Sequence, residues 1–310
     1  MSNKFLSTTS AFLLSTSMLV ADVPKVTVDI APVHSLVSSV MEGVGKPDLI
    51  MPAGASPHEY QLKPSNAKSL EDADVVFWIG EDLTPWLENG LESLARNAST
   101  TSLLGVDGIE LLSFREGALF EAHDHGDHDD HDDHAGHDHG EYDPHAWLST
   151  NNAKTWLNVI AARLSSIDPD NAGAYFANAS EARGEMDALD VEINTMLDPV
   201  RGGKFVVFHD AYQYFETVYD FPASGAISLG DASDPSAARV AEIANRIKSE
   251  NIACVLSEPQ FNAGLVKTVM GGTDATTEVI DPLGFGIEPG KSLYPKLIRA
   301  MAQSLVNCLK

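Results

Sequence analysis

A chain of 310 residues in which 44% are hydrophobic is long enough to bury more than one core, so we expect two lobes. Its formal net charge of −25 excludes the basic surface that binding to nucleic-acid phosphates requires and favours cationic partners. Residues 121–143 hold ten acidic and no basic side chains, but the rest of the chain is still acidic, at −15.

The N-terminus has the pattern of a secretory signal. Lys4 lies in a short polar segment, and an apolar run interrupted by Ser and Thr follows and ends at Ala21. We predict that residues 1–21 are a signal peptide cleaved after Ala21. The run is too short and too interrupted for a membrane anchor, and no cysteine lies near residue 21 for lipid attachment. We therefore expect an exported, periplasmic protein.

After residue 21, short apolar segments alternate with segments of helical length. This alternation predicts βαβ units and mainly parallel sheets. In the first half, strands are predicted at residues 25–30, 48–51, 74–79 and 101–104, and helices at residues 32–41 and 63–72.

Residues 121–141 contain seven of the eleven histidines of the chain, interleaved with aspartate and glycine. Imidazole and carboxylate together bind divalent metals, so the composition is that of a weak, multiple metal-binding segment. The alternative is a solvated charge run with incidental metal affinity. The segment has no apolar positions with which to pack, so we expect a solvated loop. The seven are His123, His125, His128, His131, His134, His137 and His139.

Two helical patterns follow this segment. The first, residues 151–167, places its apolar residues on one face. The second begins near Pro169 and continues to about Leu197 with few helix breakers. The pattern alone leaves open whether it is one long helix or two helices broken at Gly184.

The second half repeats the alternation of strands and helices. We predict two α/β lobes, each a mainly parallel sheet flanked by helices: an N-terminal lobe (residues 22–167), a linking helix (168–198) and a C-terminal lobe (199–310). No glycine-rich phosphate motif opens any of these helices, so the sequence gives no support for a nucleotide ligand. The expected strands are residues 204–208, 225–228, 252–256 and 278–280, and the expected helices are residues 211–219, 235–250 and 263–270.

The chain has two cysteines, Cys254 in a predicted strand and Cys308 in the last helical segment. In an oxidising compartment an even pair more often forms a disulfide than a metal site, and two unpaired buried thiols are the alternative. On the chain-entropy model, this bridge would stabilise the fold by roughly 4 kcal/mol.

Four polar residues lie where ligands of open α/β sheets bind, beyond the carboxyl ends of strands. His58 follows the second strand through a turn, and His209 and Asp281 directly follow two later strands. His145 lies in an Asp-Pro-His turn ahead of a helix. Three imidazoles and one carboxylate suit four-coordinate Zn²⁺ better than Mn²⁺. Glu59 is an alternative fourth ligand, although neighbouring residues cannot easily aim both side chains at one ion.

Four segments resemble the motif regions of the metal-binding solute receptors of zinc and manganese ABC transporters. They are GASPHEY at residues 54–60, DPHAWL at 143–148, FHDAYQYF at 208–215 and DPLG at 281–284. They occur in the same order as in that family, and a His/Asp-rich segment precedes the second. The likeness covers essentially the whole chain after residue 21 and is greatest to the zinc receptors.

The resemblance implies two related lobes bridged by one continuous helix, with the metal in the cleft and little hinge motion. It implies His58, His145 and His209 as ligands, with Asp281 or solvent completing the shell, and its members carry a disulfide consistent with the two cysteines. Manganese receptors usually carry Glu where His209 stands, so zinc is favoured over a manganese receptor.

The implied partner is the membrane permease of a zinc ABC transporter, to which a monomeric receptor would deliver Zn²⁺. A periplasmic zinc chaperone is a further candidate partner. A zinc buffer and a metal-dependent adhesin remain alternatives. A zinc hydrolase would need a general base beside the metal, for which Glu59 and Glu258 are candidates, and no HExxH sequence occurs. We therefore predict a binding protein and not an enzyme.

Overall fold

A computed structural model describes residues 23–115, 120, 142–228, 235–261 and 263–310. The predicted signal peptide and the seven histidines from His123 to His139 lie outside these residues. Within the described part of the chain, no helix combines the length and the apolar character needed to cross a membrane.

The N-terminal lobe is built on a four-stranded parallel sheet with the strand order β2-β1-β3-β4. The two central strands are fully buried and, apart from Thr27, apolar, as expected for a parallel sheet covered on both faces. A proline in the first turn of each helix supplies a fixed φ where a backbone N–H has no helical partner. The elements are β1 (Val26–Val28), α1 (Ala31–Val40), β2 (Asp48–Leu49), α2 (Pro64–Glu71), β3 (Val75–Trp78), α3 (Pro85–Leu94) and β4 (Ser99–Ser102).

The C-terminal lobe repeats this plan. Its parallel sheet has the order β6-β5-β7-β8, which is the order of the first sheet when each is counted from its own first strand. The predicted pair of parallel α/β lobes is therefore confirmed. The elements are β5 (Phe205–His209), α6 (Gln213–Tyr219), β6 (Ala226–Ser228), α7 (Ala237–Ser249), β7 (Cys254–Ser257), α8 (Ala263–Val269), β8 (Thr276–Val279) and α9 (Leu293–Leu309).

The lobes are joined by two helices, α4 (Thr150–Ile167) and α5 (Ala172–Leu197). The 26 residues of α5 form one continuous helix, about 39 Å long at 1.5 Å per residue. This helix packs against α1 and α4 and also against α9. The open alternative, a break at Gly184, is therefore resolved in favour of a single helix. The predicted lobe boundaries at residues 167 and 198 stay a prediction.

The disulfide predicted between Cys254 and Cys308 is formed. It joins the first residue of β7, in the centre of the second sheet, to the last turn of α9. Both cysteines belong to a buried apolar cluster that includes residues of both sheets and of α5. The C-terminal helix is thereby covalently attached to the core that the two lobes share.

Two features of the N-terminal lobe were not predicted. The strand expected at residues 101–104 lies two residues earlier, because β4 is made of Ser and Thr and lacks an apolar pattern that would mark its bounds. Helix α3 also has no counterpart among the predicted elements.

Candidate metal centre

His145 lies in a turn that Asp143 and Pro144 hold in shape. Oδ1 of Asp143 accepts a hydrogen bond from the backbone N of His145 at 2.9 Å and lies 2.7 Å from its ring atom Nδ1. When Asp143 is ionised it can only accept, so in the neutral ring Nδ1 is the donor and the lone pair is on Nε2, where it can bind a metal. Burial raises the pKa of Asp143 to about 7, while the hydrogen bond from His145 and the nearby Arg115 act in the opposite direction.

His209 is held in the same way by a residue of the neighbouring strand. It is the last residue of β5, and its Nδ1 lies 2.7 Å from Oε1 of Glu258, which directly follows β7. Both side chains are buried. Strands β5 and β7 are the central pair at which the strand order reverses, the position where open α/β sheets bind ligands. The tautomer is again the one with the lone pair on Nε2.

The structure brings the three predicted histidines together. His58 lies in the loop after β2, and its ring centroid is 5.5 Å from that of His145, which is 5.3 Å from that of His209. Trp147 Nε1 donates to Pro282 O at 2.8 Å and so ties the turn of His145 to the turn after β8. A small cavity of about 20 Å³ is lined by Ser56, Pro57, His58, His145, Trp147, His209, Glu258, Gln260, Phe261, Pro282 and Leu283.

Asp281 and Glu59, the predicted fourth ligand and its alternative, are placed differently. Asp281 follows β8 and stabilises its own turn, because Oδ1 accepts from Leu283 N at 2.9 Å and from Gln260 Nε2 at 3.3 Å, and Oδ2 accepts from Phe285 N. Glu59 is exposed to solvent. Among the described residues, no group of three or more His, Cys, Asp or Glu side chains is arranged so that it could hold a metal ion without rearrangement. The ligand set therefore stays a prediction.

Sequence reasoning missed the roles of Asp143 and Glu258. The sequence suggests Glu258 only as a candidate general base of a hydrolase, whereas in the structure it is the hydrogen-bond partner of His209. A signal for both was present, since Asp143 lies two residues before His145 and Glu258 follows a buried strand. Acidic residues beside a ligand histidine commonly orient its ring.

Two similar parallel α/β lobes, one long linking helix and a histidine cluster at the strand ends define a two-lobed solute receptor. A family profile described as "ZnuA: Zinc-uptake complex component A periplasmic" matches residues 26–308, and the chain belongs to this family. The family predicted from the four motifs is thus confirmed. It is a family of periplasmic zinc-uptake receptors and not of enzymes.

Two relatives agree with this assignment in sequence, and a solved structure agrees with the fold. The "High-affinity zinc uptake system protein ZnuA" of Brucella abortus (strain 2308) is 44% identical in an alignment 322 positions long, which covers 97% of this chain and 96% of that protein. The protein of the same description from Paracoccus denitrificans is 42% identical over 302 residues, 93% of each chain. A solved structure described as "Crystal structure of ZnuA" superposes with a TM-score of 0.76 at 24% identity, over 93% of this chain and 100% of that one.

Proposed function

We propose that this protein captures Zn²⁺ in the periplasm and delivers it to the membrane permease of an ABC transporter. One observation carries the proposal. Three histidines from three separate segments of the chain lie with ring centroids 5.3 and 5.5 Å apart, and buried carboxylates orient two of them. The ion is the cargo of such a receptor, so it has to be both held and released.

The donor set fits zinc. His58, His145 and His209 would each supply one neutral imidazole nitrogen, and three such ligands with one open position suit Zn²⁺. Mn²⁺ favours a larger share of oxygen ligands. The fourth position would be taken by Asp281, through lone pairs that its turn does not use, or by a water molecule. Glu59 remains the alternative, and it would have to turn inward from its exposed position.

The charge around the site favours a divalent cation. Asp143 and Glu258 are buried next to the imidazoles, and a buried carboxylate is stabilised by a nearby positive charge. A bound Zn²⁺ would supply that charge through the histidine rings. The same carboxylates make the imidazoles stronger ligands, because each accepts a hydrogen bond from Nδ1–H.

Release would require the ligands to separate. His58 and His145 come from the N-terminal half of the chain, and His209 and Asp281 come from the C-terminal half. We infer that docking on the permease moves the two groups apart. Cross-linking the lobes should therefore slow zinc transfer to the permease, and transfer at the full rate would contradict this step.

Residues 121–141 are given an auxiliary role in this proposal. The seven histidines from His123 to His139 would bind zinc weakly at several positions and raise its concentration near the tight site, or receive it from a periplasmic chaperone. Deleting Ala122–Gly140 should remove weak binding and leave one tight site per chain. Loss of the tight site would place the primary ligands in the deleted segment.

The proposal is tested by competition titration of the wild-type protein with zinc and manganese against a chromophoric chelator. We expect one tight zinc ion per chain and weaker manganese binding. Tighter manganese binding would indicate a manganese receptor. Growth under zinc limitation separates uptake from the remaining alternatives, because a buffer or adhesin would be dispensable for it and the uptake receptor would not.

A further inference from the structure

We propose that Arg115 is a positioning residue that holds the turn of His145 and the end of β5 at His209 in fixed positions relative to each other, and so slows the release of zinc. The inference rests on the proposed function. It concerns the two short segments that flank residues 116–141, namely residues 112–115 and 142–143, which we call the stem. Arg115 reaches from the stem to the C-terminal lobe, on the side where His209 lies.

The guanidinium group of Arg115 binds two carboxylates at once. Its Nε donates to both oxygens of Asp210 at 3.0 Å, and Nη2 donates to the same carboxylate. Nη1 and Nη2 donate to the two oxygens of Glu216 at 2.7 and 3.1 Å. The ring of Phe120 covers the group, with its centroid 3.5 Å from Cζ. The orientation of the planar guanidinium group is therefore fixed, because Nε, Nη1 and Nη2 all donate to carboxylate oxygens.

These carboxylates are part of the structure around His209. Asp210 is the next residue in the chain, so a hydrogen bond that fixes its side chain also limits movement of the adjoining peptide. Glu216 lies in α6 and accepts a further hydrogen bond from Ala223 N at 3.1 Å. Arg115 thus joins the end of β5 to the helix that follows it.

The other end of the stem is attached to the turn of His145. Asp143 N donates to Leu112 O at 2.8 Å, and Ser113 and Tyr142 form an antiparallel bridge. Tyr214 of α6 donates through its hydroxyl to Asp143 O at 2.8 Å and accepts from Leu112 N at 3.0 Å. The stem therefore holds Asp143, the partner of His145, against the same helix that carries Glu216.

The charges make this arrangement sensitive to Arg115. Asp210 and Glu216 are both buried, and Arg115 pairs with each of them as the counter-charge. Burial would lower the pKa of Arg115, but the hydrogen bonds to the two acids outweigh it and raise the pKa above its ordinary range. Removing the guanidinium would leave two buried carboxylates without a counter-charge, and these would move apart or admit water. The peptide beside His209 would move with Asp210.

A purely structural salt bridge would alter stability without altering the metal centre, so the test measures the metal centre directly. Zinc release from Arg115→Ala into excess chelator is followed by stopped flow, and the ligand-field absorption of the Co²⁺-loaded protein is recorded. We expect release to be about 10-fold faster than in the wild type, the lower end of the usual loss when a ligand's supporting contact is removed. The Co²⁺ bands should change in intensity, and Arg115→Lys, which keeps the charge without the fork, should recover part of both effects.

The control is Arg299→Ala. Arg299 Nε donates to both oxygens of Glu192 at 2.8 and 2.9 Å, but this pair is exposed and joins α9 to α5 away from the histidines. Its loss should leave zinc release and the Co²⁺ spectrum unchanged.

A second variant covers the case in which Arg115→Ala folds poorly. The combination Arg115→Met, Asp210→Asn and Glu216→Gln removes the three charges together, so no buried charge is left alone. It should still release zinc faster than the wild type. A folded variant of either kind with wild-type release and a wild-type Co²⁺ spectrum would overturn the inference. Failure of the wild type to bind one tight zinc ion would instead contradict the proposed function.

Discussion

Glu258 is the carboxylate that connects the sheet of the C-terminal lobe to the histidine cluster. Its Oε1 lies 2.7 Å from His209 Nδ1, so it sets both the rotation of the ring and its tautomer. We predict that Glu258→Ala weakens zinc binding by about 10- to 100-fold. Glu258→Gln should weaken it less, because the amide oxygen still accepts from Nδ1. Competition titration provides the measurement.

The control for this prediction is Glu242→Ala, which removes an equal charge from an exposed side chain of α7. It should leave zinc affinity unchanged. Equal effects of the Glu258 and Glu242 substitutions would show that Glu258 acts through net charge alone and does not orient His209.

Asp29 is buried at the carboxyl end of β1 and accepts hydrogen bonds from Ile30 N and Ile79 N, both at 2.7 Å. Burial raises its pKa from 3.8 to about 7, against the effect of these hydrogen bonds. Between these two pH values, the folded protein holds a proton that the unfolded chain has lost. The stability that protonated Asp29 contributes is therefore fully present below about pH 4 and is lost as the pH rises through about 7.

We predict from this shift how the stability of the zinc-free protein depends on pH. The free energy of unfolding of the wild type minus that of Asp29→Asn should fall as the pH rises from about 4 to about 7, as measured by chemical denaturation. The control Asp72→Asn removes an exposed carboxyl whose pKa is lowered by Lys68, so its difference should be flat in that range. If the free energy of unfolding of the wild type minus that of Asp29→Asn instead rises with pH, the result contradicts the raised pKa.

At the scale of elements, the loop that carries His58 packs against the turn that follows Asp281. Gly54 in this loop has a φ of +81°, and a Cβ atom added there would lie 2.9 Å from two ring atoms of Phe285. The position therefore requires glycine for its backbone conformation and for the close approach of the ring. The cavity beneath this contact is lined by residues of both lobes.

We predict that Gly54→Ala destabilises the protein by more than the roughly 1 kcal/mol that a left-handed residue costs alanine. It should also weaken zinc binding, because the shifted loop carries His58. Gly43→Ala is the matched control, since Gly43 has a φ of +75° and no atom within 4 Å of an added Cβ. Denaturation and zinc titration of both variants check the prediction, and zinc binding reduced equally in both would contradict it.

The sequence predicts most of these elements because buried parallel strands are short, apolar and separated by helices. It also predicts His58 and His209, because residues at strand ends share one edge of a sheet, and His145 from its Asp-Pro-His turn. It does not reveal how far α5 extends, because the helical pattern around Gly184 fits a break as well as a continuous helix. Packing of α5 against both lobes decides between them. The pairing of Arg115 with Asp210 is equally hidden, since 95 residues separate the two.

At the scale of the whole molecule, the two lobes share one core. Helix α5 packs against α1 and α4 as well as against α9, and the disulfide attaches α9 to the second sheet. A large hinge movement would have to break this packing, which is apolar and continuous. The separation of the two ligand groups on docking is therefore expected to be a small displacement between the lobes and not a large hinge opening.

The claim that joins these scales is that His58, His145 and His209 hold a single zinc ion between the lobes. It is tested most directly by competition titration of His58→Ala, His145→Ala, His209→Ala and Asp281→Ala beside the wild type, with circular dichroism to verify folding. Losing the hydrogen-bond partner of a ligand typically weakens metal binding by about 10- to 100-fold. Each histidine substitution removes a ligand itself and should weaken zinc binding by more than that. Asp281→Ala should weaken it less if water can take the fourth position. A tight zinc site indifferent to all three histidine substitutions would contradict the account.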